Sequence, residues 1–281
     1  GHNVLMIGPP GAGKTMMAKC VPTIMPDMTF EEAIEVTKIH SVAGVLDSNV
    51  GIVVNRPFRT PHHTTTVPAL MGGGANAKPG EISLAHNGVL FLDEMPEYQR
   101  RTLETLRQPL EDGVAVVARS KFTLEYPARF MLVASMNPCP CGNLGSKTRE
   151  CKCSPAEIHR YISKLSGPLL DRIDLQIEVD SVSYDEFRSN IPDESSKAIK
   201  ERVDRARRIQ RERYADSTTK TNDEMTNAQV RKYCRLDKDS EDLLKTAFTK
   251  LNLTARASSR VLKVSRTIAD LDGSEDISSR H

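Results

Sequence analysis

The sequence predicts an α/β fold, in which a parallel-sheet core over residues 1–190 precedes a smaller all-α domain over residues 191–281. Three observations predict it. Two short apolar stretches, "NVLMIG" and "VLFLDE", run directly into loop signals, as buried parallel strands do. After "IEVDSVS", apolar residues recur at helical spacing, most extensively in "SSKAIKERVDRARRIQRERY". We therefore expect the domain boundary near residue 190.

The composition is that of a globular protein. Hydrophobic residues make up 38% and charged residues 27% of the 281 residues, and no apolar run approaches the roughly 18 residues that a membrane helix needs. Without a secretion signal, we expect a cytoplasmic protein that has no membrane partner. The formal net charge of +2 is too small for a general attraction to nucleic acid. Because Gly1 stands where an initiator methionine would, and "DGSEDISSRH" resembles the start of another helix, we expect a fragment of a longer protein.

The first strand leads into a phosphate-binding loop. Residues 8–15 read "GPPGAGKT", a pattern whose backbone N–H groups wrap a phosphate at the N-terminus of a helix. Its lysine reaches the β- and γ-phosphates of ATP, and its threonine hydroxyl holds Mg²⁺. The predicted nucleotide-binding residues are Gly8, Pro9, Pro10, Gly11, Ala12, Gly13, Lys14, Thr15 and Met16.

A pair of acids ends the second strand. In an enzyme with such a loop, Asp93 would hold Mg²⁺ together with Thr15, and Glu94 would polarise the attacking water. Both roles need carboxylates at the C-terminal edge of a strand. The loop and the acid pair together predict Mg²⁺-dependent hydrolysis of ATP, with Lys14, Asp93 and Glu94 as catalytic residues.

An insert and a hairpin interrupt the predicted core. The stretch between the two motifs is longer than one βαβ crossover requires, so we expect an insert. It should contain a helix capped by Thr29 and Glu32, followed by a loop-rich or hairpin-like part. Further on, "GVAVVARSKFTLEYPARFMLV" alternates apolar and polar residues on both sides of "RSK", which predicts a β-hairpin with Arg119 and Lys121 at its tip.

These motifs together resemble the AAA+ ATPases of the magnesium-chelatase-like class, and within it the branch of the competence proteins. The resemblance rests on "GPPGAGKT", "RPFRTPHHTTT", "PGEISLAHNGVLFLDE", "ASMNPCPCG", "SGPLLDRIDLQIEV" and "LKVSRTIADLDG", and it covers nearly the whole chain. It implies a P-loop AAA+ core with an insert in helix 2 and a hairpin before the sensor strand. It also implies an α-helical lid and assembly into homohexameric rings.

The resemblance further implies three catalytic roles. Asn137 looks like the first sensor, which orients water against the γ-phosphate, and Arg172 looks like the arginine finger that reaches the neighbouring subunit's nucleotide. Arg256 looks like the second sensor on a lid helix, although two further arginines lie on the same predicted helix. The alternatives are a plain strand end for Asn137, a surface ion pair between Asp171 and Arg172, and a solvated helix face for Arg256.

The stretch "NPCPCGNLGSKTRECKC" contains four cysteines, for which a disulfide, a metal site or unoccupied thiols are the alternatives. Cytoplasmic thiols stay reduced, which disfavours a disulfide. Four thiolates suit tetrahedral structural Zn²⁺, although Cys-x-Cys is tighter than the usual spacing of zinc ligands. The predicted zinc ligands are Cys139, Cys141, Cys151 and Cys153, whereas Cys20 and Cys234, each within a predicted helix, should be plain buried residues.

The polymer on which such a motor acts is left open. The resemblance implies DNA branch migration during uptake of transforming DNA, and hence a translocase for single-stranded or branched DNA. Arg56 and Arg59 in the insert, with Arg119 and Lys121 in the hairpin, supply phosphate-binding charge, although Phe58 is the single aromatic residue among them. A protein-remodelling ATPase and a magnesium-chelatase motor subunit are the alternatives, and the "CPCG" run points away from the chelatase.

Two further stretches receive structural interpretations. The basic segment "KERVDRARRIQRER" interleaves Glu201, Asp204 and Glu212, so we expect a salt-bridged exposed helix rather than a nucleic-acid contact. His62 and His63 would point to opposite faces of a strand, so joint metal binding is not expected.

Overall fold

The computed structural model of the protein describes residues 1–47, 49, 51–74, 76–118, 123–146, 149–181, 188 and 194–281. The chain divides into two units. The core unit consists of Asn3–Pro22 and Asp27–Pro192, and the helical unit consists of Gly1–His2, Thr23–Pro26 and Asp193–His281.

Nine strands and eight α-helices are described up to residue 180. They are β1 (Val4–Ile7), α1 (Lys14–Ile24), α2 (Phe30–Ala43), β2 (Phe58–Arg59), α3 (Val67–Met71), β3 (Gly72–Gly73), β4 (Lys78–Pro79), α4 (Glu81–Leu84), β5 (Val89–Leu92), a 3₁₀ turn (Met95–Glu97), α5 (Arg100–Glu104), α6 (Arg107–Asp112), β6 (Val114–Ala118), β7 (Thr123–Pro127), β8 (Met131–Met136), α7 (Pro155–Ile162), α8 (Gly167–Leu170) and β9 (Leu175–Glu178).

A five-stranded parallel sheet organises the core unit. Its strand order is β2-β5-β8-β1-β9, and every neighbouring pair is parallel. All four residues of β5 are buried, which is why the sequence shows a continuous apolar run there without alternation. The α/β prediction and the two predicted strands, β1 and β5, are confirmed. Because the strands are parallel, the loops that follow β1, β5 and β8 meet at one edge of the sheet.

Large apolar side chains of the core pack against the sheet and so stabilise this edge. Leu5, Leu90, Leu92, Met95 and Leu132 are each at most 1% exposed and belong to one hydrophobic cluster. Burying a side chain of this size stabilises a fold by about 1.5–3 kcal/mol relative to leaving it exposed. The sheet is therefore a rigid platform for the polar groups at its carboxyl edge.

The insert contains short elements, as expected. Its first helix, α2, begins at the predicted capping box: Thr29 accepts from the Glu32 backbone, and the Glu32 side chain accepts from the Thr29 backbone. The short strands β3 and β4 then form an antiparallel pair. The predicted hairpin is also present, because β6 and β7 pair antiparallel from Val114 with Pro127 to Ala118 with Thr123.

The hairpin is attached to the insert at its base. The Tyr126 hydroxyl donates to the Ala77 carbonyl at 2.8 Å. Arg119 and Lys121, the residues predicted at the hairpin tip, lie outside the described residues.

The helical unit is all-α, as predicted, and each of the four α-helices among its described residues begins at a capping side chain. Ser195, Thr226, Asp237 and Thr254 each accept a hydrogen bond from a backbone N–H in the first turn. The helices are α9 (Ser196–Arg213), α10 (Asn227–Tyr233), α11 (Lys238–Lys250) and α12 (Ala255–Asp272), with a 3₁₀ turn at Asn222–Glu224.

The basic segment of the sequence lies in α9. Its Arg202 pairs with Glu194 at 2.5 Å, and its Arg213 pairs with Asp270 at 2.6 Å. Both arginines therefore bind carboxylates of the same unit, although neither partner is one of the interleaved acids Glu201, Asp204 and Glu212. Among the described residues, no helix combines the length and apolar character needed to span a membrane.

The two cysteines outside the four-cysteine stretch differ. Cys234 is 7% exposed and directly follows α10, so the expectation of a buried residue is confirmed. Cys20 lies in α1 but is exposed, so that expectation was wrong. The reason is geometric: α1 buries Ala18, and a residue two positions further along a helix points to a different face.

Candidate nucleotide-binding and metal sites

The phosphate loop, residues 8–13, connects β1 to α1. Gly11 and Gly13 have φ angles of +80° and +81°, in the left-handed region that favours glycine. Gly8 is required for a different reason, because a Cβ there would lie 2.2 Å from the Val179 carbonyl oxygen. The glycines of the motif thus permit the turn and its close approach to the chain after β9.

Lys14 lies inside this loop and is 8% exposed. Its ammonium donates to the carbonyls of Gly8 (2.5 Å) and Pro9 (2.8 Å) and to Asn137 Oδ1 (3.3 Å). Burial lowers the pKa of Lys14, an effect that the nearby charges of Asp93 and Glu94 oppose. The three acceptors are uncharged, so the site presents a buried cation to any anion that enters the loop.

Asp93 and Thr15, the predicted magnesium ligands, lie next to each other. Thr15 Oγ1 donates to Asp93 Oδ2 at 2.9 Å, which places a hydroxyl and a carboxylate oxygen side by side. Ser135, which sequence reasoning missed, donates to Asp93 Oδ1 from the neighbouring strand β8. Mg²⁺ prefers such oxygen ligands, so the donor set fits this ion. The signal for Ser135 was a lone hydroxyl residue at the end of an otherwise apolar strand.

Glu94 has an unusual backbone. Its φ and ψ are 51° and 49°, a left-handed conformation that costs a non-glycine residue about 1–3 kcal/mol. The conformation is held by its backbone N–H, which donates to Asp93 Oδ1 (3.2 Å) and Ser135 Oγ (3.1 Å). The side chain of Glu94 is exposed at the carboxyl edge of the sheet. Strain of this kind is typical of residues that a functional site holds in place.

Asn137 follows β8 and faces the phosphate loop through its bond with Lys14. Tyr161 of α7 supports it, because the Asn137 backbone and the phenol are hydrogen-bonded. Burial raises the pKa of Tyr161 to about 12, although this bond acts in the opposite direction. The structure therefore brings Lys14, Thr15, Asp93 and Asn137 to one edge of the sheet.

Arg172 has a partner that the sequence did not suggest. Its guanidinium pairs with Glu111 of α6 and donates to the Pro168 carbonyl at 2.7 Å, and its side chain is 11% exposed. The pair borders a cavity of about 460 Å³, whose lining includes Glu104 and Arg107. Arg172 thus pairs with Glu111 of α6 rather than with the preceding residue, Asp171.

The lid arginines fall into two groups. Arg266 is 3% exposed, and it bonds Asp270 at 3.1 Å and the carbonyls of Ser274 and Glu275 at 2.6 Å. It therefore supports the interior of the helical unit. Arg256, the predicted second sensor, is exposed in the first turn of α12.

The insert arginines are engaged within the chain. Arg56, whose side chain is 8% exposed, pairs with Glu32 at 3.1 Å, and Arg59 forms two bonds of 2.6 and 2.7 Å with Glu81. These bonds raise the pKa of Arg59. The Phe58 ring stacks on Phe91 with centroids 6.0 Å apart. The expectation that Arg56 and Arg59 supply phosphate-binding charge is therefore corrected, because carboxylates already neutralise both.

The histidine pair also departs from expectation. His62 and His63 follow β2 in a turn rather than within a strand, and their rings pack with centroids 4.0 Å apart. His63 also meets the edge of Tyr98, whose hydroxyl donates to the Pro61 carbonyl at 2.5 Å. Strand alternation was the wrong premise. Among the described residues, the group with metal-binding geometry lies elsewhere.

That group is the four-cysteine cluster, Cys139, Cys141, Cys151 and Cys153. Their sulfurs all lie within 4.8 Å of one another, and three of the separations are 3.4, 3.7 and 3.7 Å. Tetrahedral zinc with Zn–S bonds of about 2.3 Å places its sulfurs about 3.8 Å apart. A disulfide requires about 2.05 Å, and all four residues are free cysteines. The cluster can therefore hold a metal ion.

Backbone N–H groups support the sulfurs. Leu144 N donates to Cys139 Sγ at 3.3 Å. Hydrogen bonds from the backbones of Asn143 and Lys152 lower the pKa of Cys141 to about 6. Such donors favour the thiolate form that binds metals.

Comparison with known proteins identifies the family. The family model described as "Magnesium chelatase, subunit ChlI" matches residues 1–187, and the one described as "Magnesium chelatase, subunit ChlI C-terminal" matches residues 193–281. Competence protein ComM of Haemophilus influenzae is 46% identical over 283 aligned residues, and the uncharacterized protein YifB of Escherichia coli K12 is 44% identical over the same length. Each alignment covers 100% of this chain and 54% of the relative, so the chain spans about half the length of these proteins.

A more distant relative is the magnesium-chelatase 38 kDa subunit of Rhodobacter capsulatus, 28% identical over 149 residues, which are 48% of this chain and 43% of that protein. The predicted resemblance is thus confirmed by two family models that together cover both units. The chain belongs to the family of the magnesium chelatase subunit ChlI.

Proposed function

We propose that this chain is the ATP-hydrolysing module of a cytoplasmic AAA+ ring motor, most simply a homohexamer. The observation that carries the proposal is the buried Lys14 ammonium, which lies among three uncharged acceptors beside the Thr15–Asp93 pair. A buried cation without an anion in its hydrogen-bond shell is a binding site for a phosphate.

Each residue has a role in this reaction. Lys14 exchanges its carbonyl acceptors for β- and γ-phosphate oxygens, and Thr15 with Asp93 holds Mg²⁺, which neutralises charge on the phosphates when bound. Glu94 accepts a proton from the attacking water, and Asn137 orients that water against the γ-phosphate. Ser135 keeps the Asp93 carboxylate turned towards Thr15.

Two arginines act beyond this site. Arg172 is the proposed finger for a neighbouring subunit's nucleotide, and its pair with Glu111 has to open before it can reach there. Arg256 is the proposed second sensor. An active site that needs a group from another copy predicts turnover that rises steeply with protein concentration.

Glu94→Gln tests the catalytic assignment. We expect it to bind ATP with unchanged affinity and to lose roughly 100- to 1000-fold in turnover, because only water activation is removed. Glu97→Gln, an exposed acid three residues away, is the matched control and should turn over like the wild type. Wild-type turnover in Glu94→Gln, or in Arg172→Ala at ring-forming concentration, would refute the corresponding role.

We infer that the polymer substrate is DNA, single-stranded or branched. A relative 46% identical is named a competence protein, and Arg119 and Lys121, which the sequence predicts at the hairpin tip, would supply charge for phosphates. A protein-remodelling motor and a magnesium-chelatase motor subunit are the alternatives. Turnover should be compared in branched DNA, unstructured protein and buffer.

Salt dependence tests how the DNA is held. Affinity for DNA should fall steeply with salt, and replacing Arg119 and Lys121 by alanine should reduce that slope without altering sequence preference. Stimulation by unstructured protein alone would select the remodelling function.

We also propose that the four-cysteine cluster holds structural Zn²⁺. The sulfur separations of 3.4 to 3.7 Å support it, and four thiolates leave no open position for chemistry. Elemental analysis of protein purified without chelator should give one zinc per chain. Well under one zinc, with four thiols freely titratable in the folded state, would show that the thiols are unoccupied.

A further inference from the structure

The four-cysteine cluster touches the phosphate loop through a glycine. Gly142 directly follows Cys141 and has a φ of +77°. A Cβ built on Gly142 would lie 2.6 Å from Pro10 Cδ and 2.9 Å from Pro10 Cγ. No such contact is sterically allowed, so the backbone of the cysteine segment and the ring of Pro10 are packed without room for a methyl group.

The same segment adjoins Asn137. Cys139, which is 0% exposed, comes two residues after Asn137, and the built Cβ of Gly142 would lie 3.9 Å from Asn137 Cγ. The turn is closed by Gly142 N, which donates to the Cys139 carbonyl at 3.0 Å. Asn137 in turn accepts from Lys14. Gly142, next to the first cysteine pair, therefore lies against both Pro10 of the loop and Asn137, which accepts from the loop's lysine.

The second cysteine pair is linked to the surroundings of Asn137 through α7. Cys153 directly precedes Ser154, the N-cap of α7, whose hydroxyl accepts from Glu157 N at 3.3 Å. α7 carries Tyr161, which is 7% exposed and lies near the Asn137 backbone. A metal that joins the two pairs thus fixes both chain segments that support Asn137.

We infer that metal bound by the four-cysteine cluster positions the phosphate loop, so that metal occupancy sets the affinity for nucleotide. The inference rests on the proposed zinc site and extends it, because the metal then acts on ATP binding within one subunit. Pro10 is the transmitting residue. It immediately precedes Gly11, whose positive φ lets the loop turn, and a shift of Pro10 therefore moves the N–H groups that wrap the phosphates.

Two glycines of the cysteine segment allow a matched test. Gly142 and Gly145 both have a φ of +77°, so alanine strains the backbone equally at each. A Cβ at Gly145 meets nothing within 4 Å, whereas one at Gly142 meets Pro10. The comparison of Gly142→Ala with Gly145→Ala therefore isolates the contact with the phosphate loop.

The measurements are the dissociation constant for a fluorescent ATP analogue with Mg²⁺, the zinc content and the thermal unfolding midpoint. We expect Gly142→Ala to retain zinc and to bind nucleotide at least about tenfold more weakly, because a misplacement near 1 Å suffices for losses of this size. Gly145→Ala should stay within about twofold of the wild type. Wild-type protein stripped of metal should match the weak binding of Gly142→Ala and recover on adding Zn²⁺ alone.

The outcomes separate this inference from the zinc site itself. Zinc-loaded Gly142→Ala that binds nucleotide like the wild type overturns the coupling and leaves the zinc site intact. Wild-type protein that contains no metal when purified without chelator overturns both the zinc site and the coupling. If Gly142→Ala loses zinc, the test is the wild type stripped of metal and reloaded with Zn²⁺. Equal nucleotide affinity of the stripped and the reloaded wild type overturns the coupling.

Discussion

Two clusters of charge, one in each unit, differ in how their charges are satisfied. In the helical unit Asp270 is completely buried, with a side-chain exposure of 0%. Its Oδ1 accepts from Arg213 and Arg266, and its Oδ2 accepts from Arg213, Asn222 and Gln210. Every acceptor position is filled by a donor of the same unit, so nothing remains for a ligand.

The cluster at the sheet edge, by comparison, gives its buried cation no charged hydrogen-bond partner among the described residues. Lys14 is nearly as buried, yet its three acceptors are two backbone carbonyls and one amide, all neutral. Asp93 bonds hydroxyls and a backbone N–H. The difference teaches that burial alone does not distinguish a structural charge from a functional one. The useful criterion is whether the hydrogen-bond partners of a buried charge carry the opposite charge.

The largest effect should come from breaking the complete cluster. Asp270→Ala leaves Arg213 and Arg266 without their shared carboxylate, which should lower the free energy of unfolding by about 3–5 kcal/mol. Asp272→Ala removes a 48% exposed acid from the same helix and should change it by less than about 1 kcal/mol. Urea unfolding followed by far-UV circular dichroism measures both, and equal effects would contradict the distinction.

Removing the unbalanced charge of Lys14 should change the free energy of unfolding in the opposite direction. Lys14→Met should abolish ATP binding and raise the free energy of unfolding of the ligand-free chain by about 0.5–1 kcal/mol, a typical exchange of activity for stability. Because burial lowers the pKa of Lys14 in the folded state, charged lysine destabilises the fold below that pKa.

The pH dependence supplies the control. The advantage of Lys14→Met should be full below the lowered pKa of Lys14 and should shrink as the pH rises through that pKa towards the ordinary lysine value of about 10.4. An advantage independent of pH would show that packing, rather than charge, is responsible.

The smallest effect concerns the Arg172 pair. Glu111→Gln should change stability by less than about 1 kcal/mol, because Glu111 is 46% exposed. Turnover of the assembled ring should rise roughly two- to fivefold, since each tenfold in rate is about 1.4 kcal/mol and a pair this exposed contributes less. Glu104→Gln, in the same cavity but paired with Arg107, is the control. Unchanged turnover in Glu111→Gln would mean that this pair does not restrain Arg172.

Local patterns predicted the phosphate loop and both strands, because glycine spacing and apolar runs act over a few neighbouring residues. The pairs Arg56–Glu32 and Arg59–Glu81 were not predictable in this way, since each joins segments more than twenty residues apart. The prediction for His62 and His63 was wrong because their local conformation was taken for a strand. The cysteines were grouped correctly, but their contact with Pro10 depends on how two loops meet at the sheet edge.

The left-handed backbone of Glu94 has a consequence for engineering this chain. Asparagine and glycine adopt that conformation at lower cost, so replacing Glu94 by either should make the protein more heat-resistant. Neither residue can accept a proton from water as a carboxylate does. Under the role proposed for Glu94, directed evolution that selects on melting temperature alone would enrich variants that do not hydrolyse ATP, and a library meant to improve turnover should keep residue 94 constant.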